Sequence, residues 1–486
     1  MTQNKDGPLG GKFAELVHQT LDLWHVPGLA MAVVDGDETW AEGYGMASFP
    51  ATPVTPSTLF YAGSTTKAFT AAIMSLLVDD NHHHPEVQWD TPISQLIRDD
   101  FVLQDEYATN HITIEDALSH RTGLPGHDQA LGGTYDGHNA TVRDVVRSLR
   151  HLPLTAEPRT KYQYCNAMFI VVSHIIETLT GSWLGDLMAK HVWKPLDMTA
   201  TYKNGGYLPV EWMNLDNSSG AGGVISNVLD YAKWARALME QKTPLSKSGR
   251  EAIWLPRMLM PLEEPYTGPR AYAFGWRTGV YQGQRFLEHT GGMNAFGAEI
   301  IIFPDINFSI VAFANTAGTS NCAEQALAFH LIDEKLGVPR EKRFDWNRKN
   351  LAMVGKEMDR ARHAPEIFYP SLPEPRIPLS APLASYAGTY FHPGYLSMTI
   401  YLDASKSTLR ADRTDMTWQE RLGFKHISGE YFVVASQHEG DFGALFPDAY
   451  PAEFRIGKDG RPEALGIGWV KEMGEEKIWL TRTDAK

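Results

Sequence analysis

Tyr61-Ala62-Gly63-Ser64-Thr65-Thr66-Lys67-Ala68-Phe69-Thr70 joins a turn of small residues to an apolar helical pattern running to residue 77. With Ser64 at the start of that helix, Lys67 stands one turn on, on the same face, and the two side chains can meet. A serine hydroxyl is a weak nucleophile at neutral pH and needs a base. A partly buried lysine can serve, because desolvation lowers its pKa. The backbone N–H of Ser64, at a helix N-terminus, is also suited to a developing oxyanion. Taken alone, Ser-x-x-Lys is equally a helix cap followed by a surface lysine, so the flanking sequence has to decide.

Upstream, apolar residues at helical spacing over 13–24 end at Pro27-Gly28. The run 29–34, the turn signal Asp35-Gly36 and the alternation over 38–43 read as a β-hairpin. Downstream, the pattern is mainly helical to about residue 220: 112–118, 142–149, 167–179 and 184–193. After a helix at 228–238, strands are predicted at 274–280, 285–289, 298–303 and 308–315, then a helix at 322–336. The expected fold class is α+β: an antiparallel sheet flanked by helices, with an all-helical lobe at about 68–220 inserted into it. A cleft between two such lobes is a natural ligand site.

A charged helical stretch follows at 340–364, and Pro365, Pro370, Pro373, Pro375, Pro378 and Pro382 then mark a semi-rigid linker. Eight short alternating strands between 387 and 481 predict a C-terminal antiparallel β-barrel or sandwich. The expected division is 1–340, 341–380 and 381–486, the last folding independently.

The 486 residues carry 44 Lys+Arg against 58 Asp+Glu, a formal charge of −14. With no basic stripe, nucleic acid is not an expected partner. The chain is 43% hydrophobic and 21% charged, which places it outside the disordered class. No stretch reaches the apolar length a bilayer requires, and residues 1–8 lack the apolar run of an export signal, so an unanchored, cytoplasmic protein is expected. Cys165 and Cys322 are too few for a disulfide scaffold.

Two further clusters carry chemistry. Lys161-Tyr162-Gln163-Tyr164-Cys165-Asn166 precedes a helix, and Tyr164 and Asn166, two apart, can face one cleft. Aromatic packing and an Asn cap explain the cluster as well. Glu288-His289-Thr290-Gly291-Gly292 ends a predicted strand: its glycines allow a substrate to lie against the strand, and His289 offers a donor adjustable near neutrality. A plain strand-end turn is the alternative. His82-His83-His84 reads as a solvated loop rather than a metal site, since adjacent histidines splay apart and no acidic partner motif accompanies them.

The order Ser-x-x-Lys, Tyr-x-Asn, then a basic residue before Thr-Gly resembles the penicillin-recognising serine hydrolases. The resemblance is to the class C β-lactamase branch with its D-alanyl peptidases, D-aminopeptidases, esterases and acyltransferases. It extends over about 14–336 and includes Val26-Pro27-Gly28-Leu29-Ala30, Leu118-Ser119-His120-Arg121-Thr122-Gly123-Leu124-Pro125, Ala221-Gly222-Gly223-Val224-Ile225-Ser226 and Phe274-Gly275-Trp276. It implies Ser64 as the acylated nucleophile, Lys67 as its proton partner and Tyr164 as a proton relay. Asn166 would hold Lys67 or the substrate amide. His289, Thr290 and Gly291 would form the substrate-facing strand, and the N–H groups of Ser64 and Gly292 the oxyanion hole.

Two positions depart from the β-lactamase pattern. Lysine is usual at 289, and histidine there is more like the D-aminopeptidase and related peptidase or thioesterase members. Cys165 fills a slot often held by serine, which makes a thiol nucleophile conceivable but poorly placed. Tyr386-Ala387-Gly388-Thr389-Tyr390 and Pro393-Gly394-Tyr395 resemble the lipocalin-like barrel appended to some of these peptidases, where it would shape the cleft mouth or mediate assembly. The expectation is a hydrolase or acyltransferase needing neither metal nor cofactor, acting on a small-molecule or short-peptide ester, thioester or amide. Its rivals are a D-amino-acid-specific peptidase or amidase, a non-catalytic binding or scaffold protein, and a metal-dependent hydrolase.

Overall fold

Helix α1 (Lys12–Trp24) buries Phe13, Val17, Leu21 and Trp24 on one face and ends at His25, whose left-handed conformation stops the helix. The hairpin follows as β1 (Gly28–Asp35) and β2 (Glu38–Ser48), paired from Gly28↔Gly45 to Asp35↔Glu38. The computed structural model describes residues 7–200, 213–403, 405, 407–438 and 448–483.

Helix α2 (Thr66–Asp79) leads into the helical lobe, whose longest member is α3 (Asn166–Thr180). Both are buried on nearly every side, as expected for helices lying between a sheet and other helices. Helix α4 (Val228–Met239) brings the chain back, and β3 (Arg277–Tyr281), β4 (Gln284–Met293), β5 (Phe296–Phe303) and β6 (Phe308–Ala314) complete the main sheet. The strand expected from residue 274 starts instead at Arg277. Gly275 is the cause, having φ +71° and lying so near α2 that a Cβ on it would sit 2.6 Å from Lys67 O.

The first and last strands of the domain share one nine-stranded antiparallel sheet, because β1 pairs with β6 at Leu29↔Ala314. One face packs against α1 and α5 (Thr319–Lys335), the other against α4 and the lobe, giving two separate apolar cores. Among the described residues no single helix is long and apolar enough to cross a membrane.

Helix α6 (Trp346–Arg362) and the proline segment lead to eight strands: β7 (Gly388–His392), β8 (Leu396–Asp403), β9 (Thr408–Arg413), β10 (Glu420–Ser428), β11 (Tyr431–His438), β12 (Asp448–Ile456), β13 (Pro462–Ile467) and β14 (Ile478–Arg482). They close into a barrel through β14 and β7. Tyr390, Met398, Ile400, Leu409, Phe424 and Phe454 fill it from alternate strand positions. The strand rhythm read correctly, and the barrel core is continuous with that of the helical lobe.

Candidate active site

Residues Gly63–Thr65 make one 3-10 turn that feeds α2. Gly63 has φ +50°, and a Cβ there would lie 2.8 Å from Gly292 N, while one on Gly291 would lie 2.1 Å from Ala62 O. Glycine at both positions lets the turn lie backbone to backbone against β4, bringing Ser64 beside the exposed Gly292. From Ala62 to Thr70 every residue except Ser64 is buried.

Lys67 is fully buried. Its Nζ donates to Asn166 Oδ1 and Ala221 O, each at 2.7 Å, and to Ser64 Oγ at 3.0 Å. Burial pushes its pKa down to about 7, with Asp128 opposing the shift and Arg277 adding to it. Near neutral pH the group is therefore divided between ammonium and amine. As an amine it has two N–H donors, which Asn166 and Ala221 take, and its lone pair is left for the Ser64 hydroxyl. This geometry can deprotonate a serine.

The segment before α3 is extended at Cys165, so Tyr162, Tyr164 and Asn166 share the cleft side while Gln163 and Cys165 point inward. Burial raises the pKa of the Tyr164 hydroxyl above the ordinary tyrosine value, with nearby Ser64 opposing the shift, so it keeps its proton at neutral pH. The Lys67 ammonium lies 5.0 Å from the Tyr164 ring centroid. His120 backs the segment, its ring 4.2 Å from that of Tyr164 and its Nδ1 accepting from Cys165 N at 3.1 Å. The Cys165 thiol is enclosed and its pKa pushed up to about 12, which removes it as a nucleophile.

His289 differs most from expectation. Its side chain is fully buried: Nδ1 donates to the Thr290 carbonyl at 2.6 Å, so Nε2 accepts from the Tyr272 hydroxyl at 2.8 Å. Burial drives its pKa well below the ordinary value, leaving a neutral ring engaged away from the cleft. Alternation along β4 explains this, since Thr290 turns the other way and stays partly exposed. Thr290 Oγ1 accepts from Arg277 Nη1 at 3.1 Å. Arg277 pairs with Glu288 across β3 and β4, so the permanent cation near this strand comes from its neighbour.

Asp128 and Arg277 are the residues that sequence reasoning missed. Asn166 Nδ2 donates to both Asp128 oxygens, at 3.1 and 3.3 Å, linking the carboxylate through Asn166 to Lys67. Burial raises the Asp128 pKa, while Asn166 and Lys67 hold it back. Asp128 opens a single 3-10 turn, Asp128–Ala130, too short for a periodicity to mark it, whereas Arg277 directly follows the Phe274-Gly275-Trp276 motif and was within reach. Beyond Thr290 a cavity of about 380 Å³ opens, lined by Tyr162, Tyr164, Met260, Arg277, Thr290 and Gln325 among others. His82-His83-His84 lies in a mostly exposed turn, where His83 Nδ1 is 2.9 Å from Asp80. Among the described residues no group of three or more His, Cys, Asp or Glu side chains is arranged to hold a metal ion.

A family model described as Beta-lactamase matches residues 13–332, about two thirds of the chain and the whole of the site. The chain belongs to the beta-lactamase family. It is 48% identical to the Unguisins hydrolase ungD' of Aspergillus campestris over 503 aligned positions, covering 99% of this chain and 93% of that one. It is 26% identical over 341 positions to a D-aminopeptidase of Brucella anthropi, covering 64% of this chain and 60% of that one. The octameric penicillin-binding protein homologue from Pyrococcus abyssi has the same fold, with TM-score 0.60 and 19% identity over 97% of this chain and 99% of that one. Residues 372–482 match DUF3471, a domain of unknown function. This beta-lactamase-family chain is thus an enzyme of a hydrolase family with a closed barrel at its C-terminal end.

Proposed function

We propose that the protein is a serine hydrolase that cleaves an amide bond through an acyl-Ser64 intermediate. Ser64 Oγ attacks the substrate carbonyl as its proton passes to the Lys67 amine, and the oxyanion is held by the N–H groups of Ser64 and Gly292. The proton then moves through Tyr164 to the leaving nitrogen, and the C–N bond breaks. Water adds to the acyl-enzyme by the reverse proton path, releasing the carboxylic acid and restoring Ser64. The observation that carries this reading is Lys67 itself: fully buried, 3.0 Å from Ser64 Oγ, with its other two donors taken.

For the substrate, similarity along nearly the whole chain to a protein named Unguisins hydrolase supports an unguisin or a compound of that class. A second reading, a D-amino-acid amidase or peptidase, is favoured by the D-aminopeptidase relative and by the Asp128 carboxylate near the site, a suitable partner for a substrate ammonium. Incubating purified protein with unguisins and with a panel of D- and L-amino-acid amides, followed by mass analysis of the products, separates the two. Turnover by wild type that Ser64→Ala abolishes is the expected result; equal turnover by both would refute the proposal.

A further inference from the structure

The stretch between His127 and Gln129 is held from the barrel as well as from its own domain. Tyr395, in the turn between β7 and β8, is fully buried, and its hydroxyl lies 2.7 Å from His127 Nδ1. His127 Nε2 lies 3.0 Å from the Pro153 carbonyl, which can only accept, so Nε2 carries the hydrogen and Tyr395 is the donor to Nδ1. On the other side, Arg413 Nη2 donates to Gln129 O at 3.0 Å and to Tyr395 O at 2.9 Å. Gln129 Nε2 reaches the Tyr450 hydroxyl at 3.2 Å.

These barrel groups are themselves fixed. The Tyr395 ring stacks on Trp469 with centroids 4.9 Å apart and planes 6° apart. Arg413, fully buried, pairs with Glu420 at 2.9 Å, and Ser436 Oγ donates to the other Glu420 oxygen at 2.7 Å. The contact continues along the chain: Gly133 N donates to Asp415 O at 2.8 Å, Thr417 N to Leu131 O at 2.9 Å, and Asn217 Nδ2 to Thr417 Oγ1 at 2.6 Å. A single 3-10 turn, Asp128–Ala130, and the residues after it are thus tied to the barrel by side-chain and backbone bonds. Asp128 sits between the two gripped residues, and its carboxylate holds Asn166, which holds Lys67.

From this juxtaposition we infer that the C-terminal barrel is a working part of the active site, with Tyr395 and Arg413 as positioning residues that place Asp128, and through Asn166 the Lys67 amine, against Ser64. The inference rests on the acyl-Ser64 reading and adds a task for the domain of unknown function, with no contact between barrel and substrate required. The steps involved are hydrogen bonds only. A displacement of Asp128 changes two things at once, the aim of Lys67 and the negative potential that raises its pKa. Lys67 is faced by Tyr164 and Cys165 from the segment before α3, by Asp128 from its turn, by Arg277 from β3, by His289 from β4 and by His120, the two histidines being held neutral by burial. Among these Asp128 is the carboxylate and Arg277 the permanent cation, so loosening Asp128 leaves the field of Arg277 less opposed.

The experiment follows Ser64 acylation by a small neutral activated ester in the full-length protein, with pH varied, alongside thermal melting. Wild type that is never acylated at Ser64 would remove the underlying reading, and the positioning role would fall with it. With wild type acylated, Tyr395→Phe keeps the ring on Trp469 and deletes only the hydroxyl. Its maximal acylation rate is expected to fall roughly 10- to 100-fold, as for a catalytic group misplaced by about an ångström. The ascending limb of its pH profile is expected to move to lower pH, with apparent ester affinity within about twofold of wild type. Tyr450→Phe, which deletes the acceptor of Gln129, is expected to move both quantities in the same direction by less, and serves if Tyr395→Phe does not fold. Folded variants with a lower melting temperature but the wild-type rate and pH limb would overturn the inference, because that is the behaviour of a barrel that only stabilises.

Discussion

Lys67 is where the chemistry of this chain is concentrated, and its pH behaviour is a direct consequence of burial. A lysine with a pKa pushed down from 10.5 to about 7 is cationic and unable to accept a proton below that value, and neutral above it. The rate of acylation is therefore expected to rise with pH through about 7 and level off above, a limb that Lys67→Arg would abolish with the activity. Because the base and Tyr164 serve one proton path, Lys67→Ala and Tyr164→Phe should be strongly non-additive, the double variant losing little more than the worse single. Losses that multiply would break the coupled mechanism. His289 is expected to act differently: with both ring nitrogens engaged by Tyr272 and Thr290, His289→Gln should lower stability and all activities together without shifting the pH limb. A shifted limb or a changed substrate preference would return His289 to the substrate side.

At the scale of elements, the site is a meeting of α2, the strand β4 and the segment before α3, made possible by missing Cβ atoms. Gly291→Ala would thrust a carbon to 2.1 Å from Ala62 O, backbone against backbone, where nothing flexible can yield. The expected cost is about 1–3 kcal/mol in stability together with loss of acylation, since the turn bearing Ser64 must back away from β4. Chemical denaturation and acylation kinetics on the same preparation check this, and an unchanged rate would show that the close approach is not needed. These elements were legible in the sequence because each has a local signature: helical period after Ser64, alternation in β4, glycine where two backbones touch. Asp128 had no such signature, since one 3-10 turn is too short to show a period and is placed by what it packs against, here both its own lobe and the barrel. The strand was expected to end at His289 but continues to Met293, so His289 lies within β4, where the face it occupies depends on register and one residue of shift reverses it.

Across the whole molecule, the proline segment and the barrel beyond it were equally visible in the sequence, while the contact that ties them to the lobe was not. Residues 373–378 are exposed, and Arg376 offers trypsin a site within them. Limited proteolysis is expected to cut there first, with the two fragments remaining together on size exclusion because Tyr395, Arg413 and Thr417 bridge to the lobe. Fragments that separate without denaturant would mean the barrel is an independent module after all. Strand rhythm reports what lies within a domain; an interface made of loop carbonyls, two tyrosines and one buried arginine has no period to read.

The central claim is a covalent bond to one oxygen atom, and mass measurement addresses it most directly. Wild-type protein mixed with a slowly deacylating activated ester or amide and quenched in acid should gain the mass of one acyl group, and peptide mapping should locate it on Ser64. Ser64→Ala, which keeps Lys67 and the fold, should gain none under the same conditions. An adduct on another residue, or product formed by wild type and Ser64→Ala alike, would contradict the account.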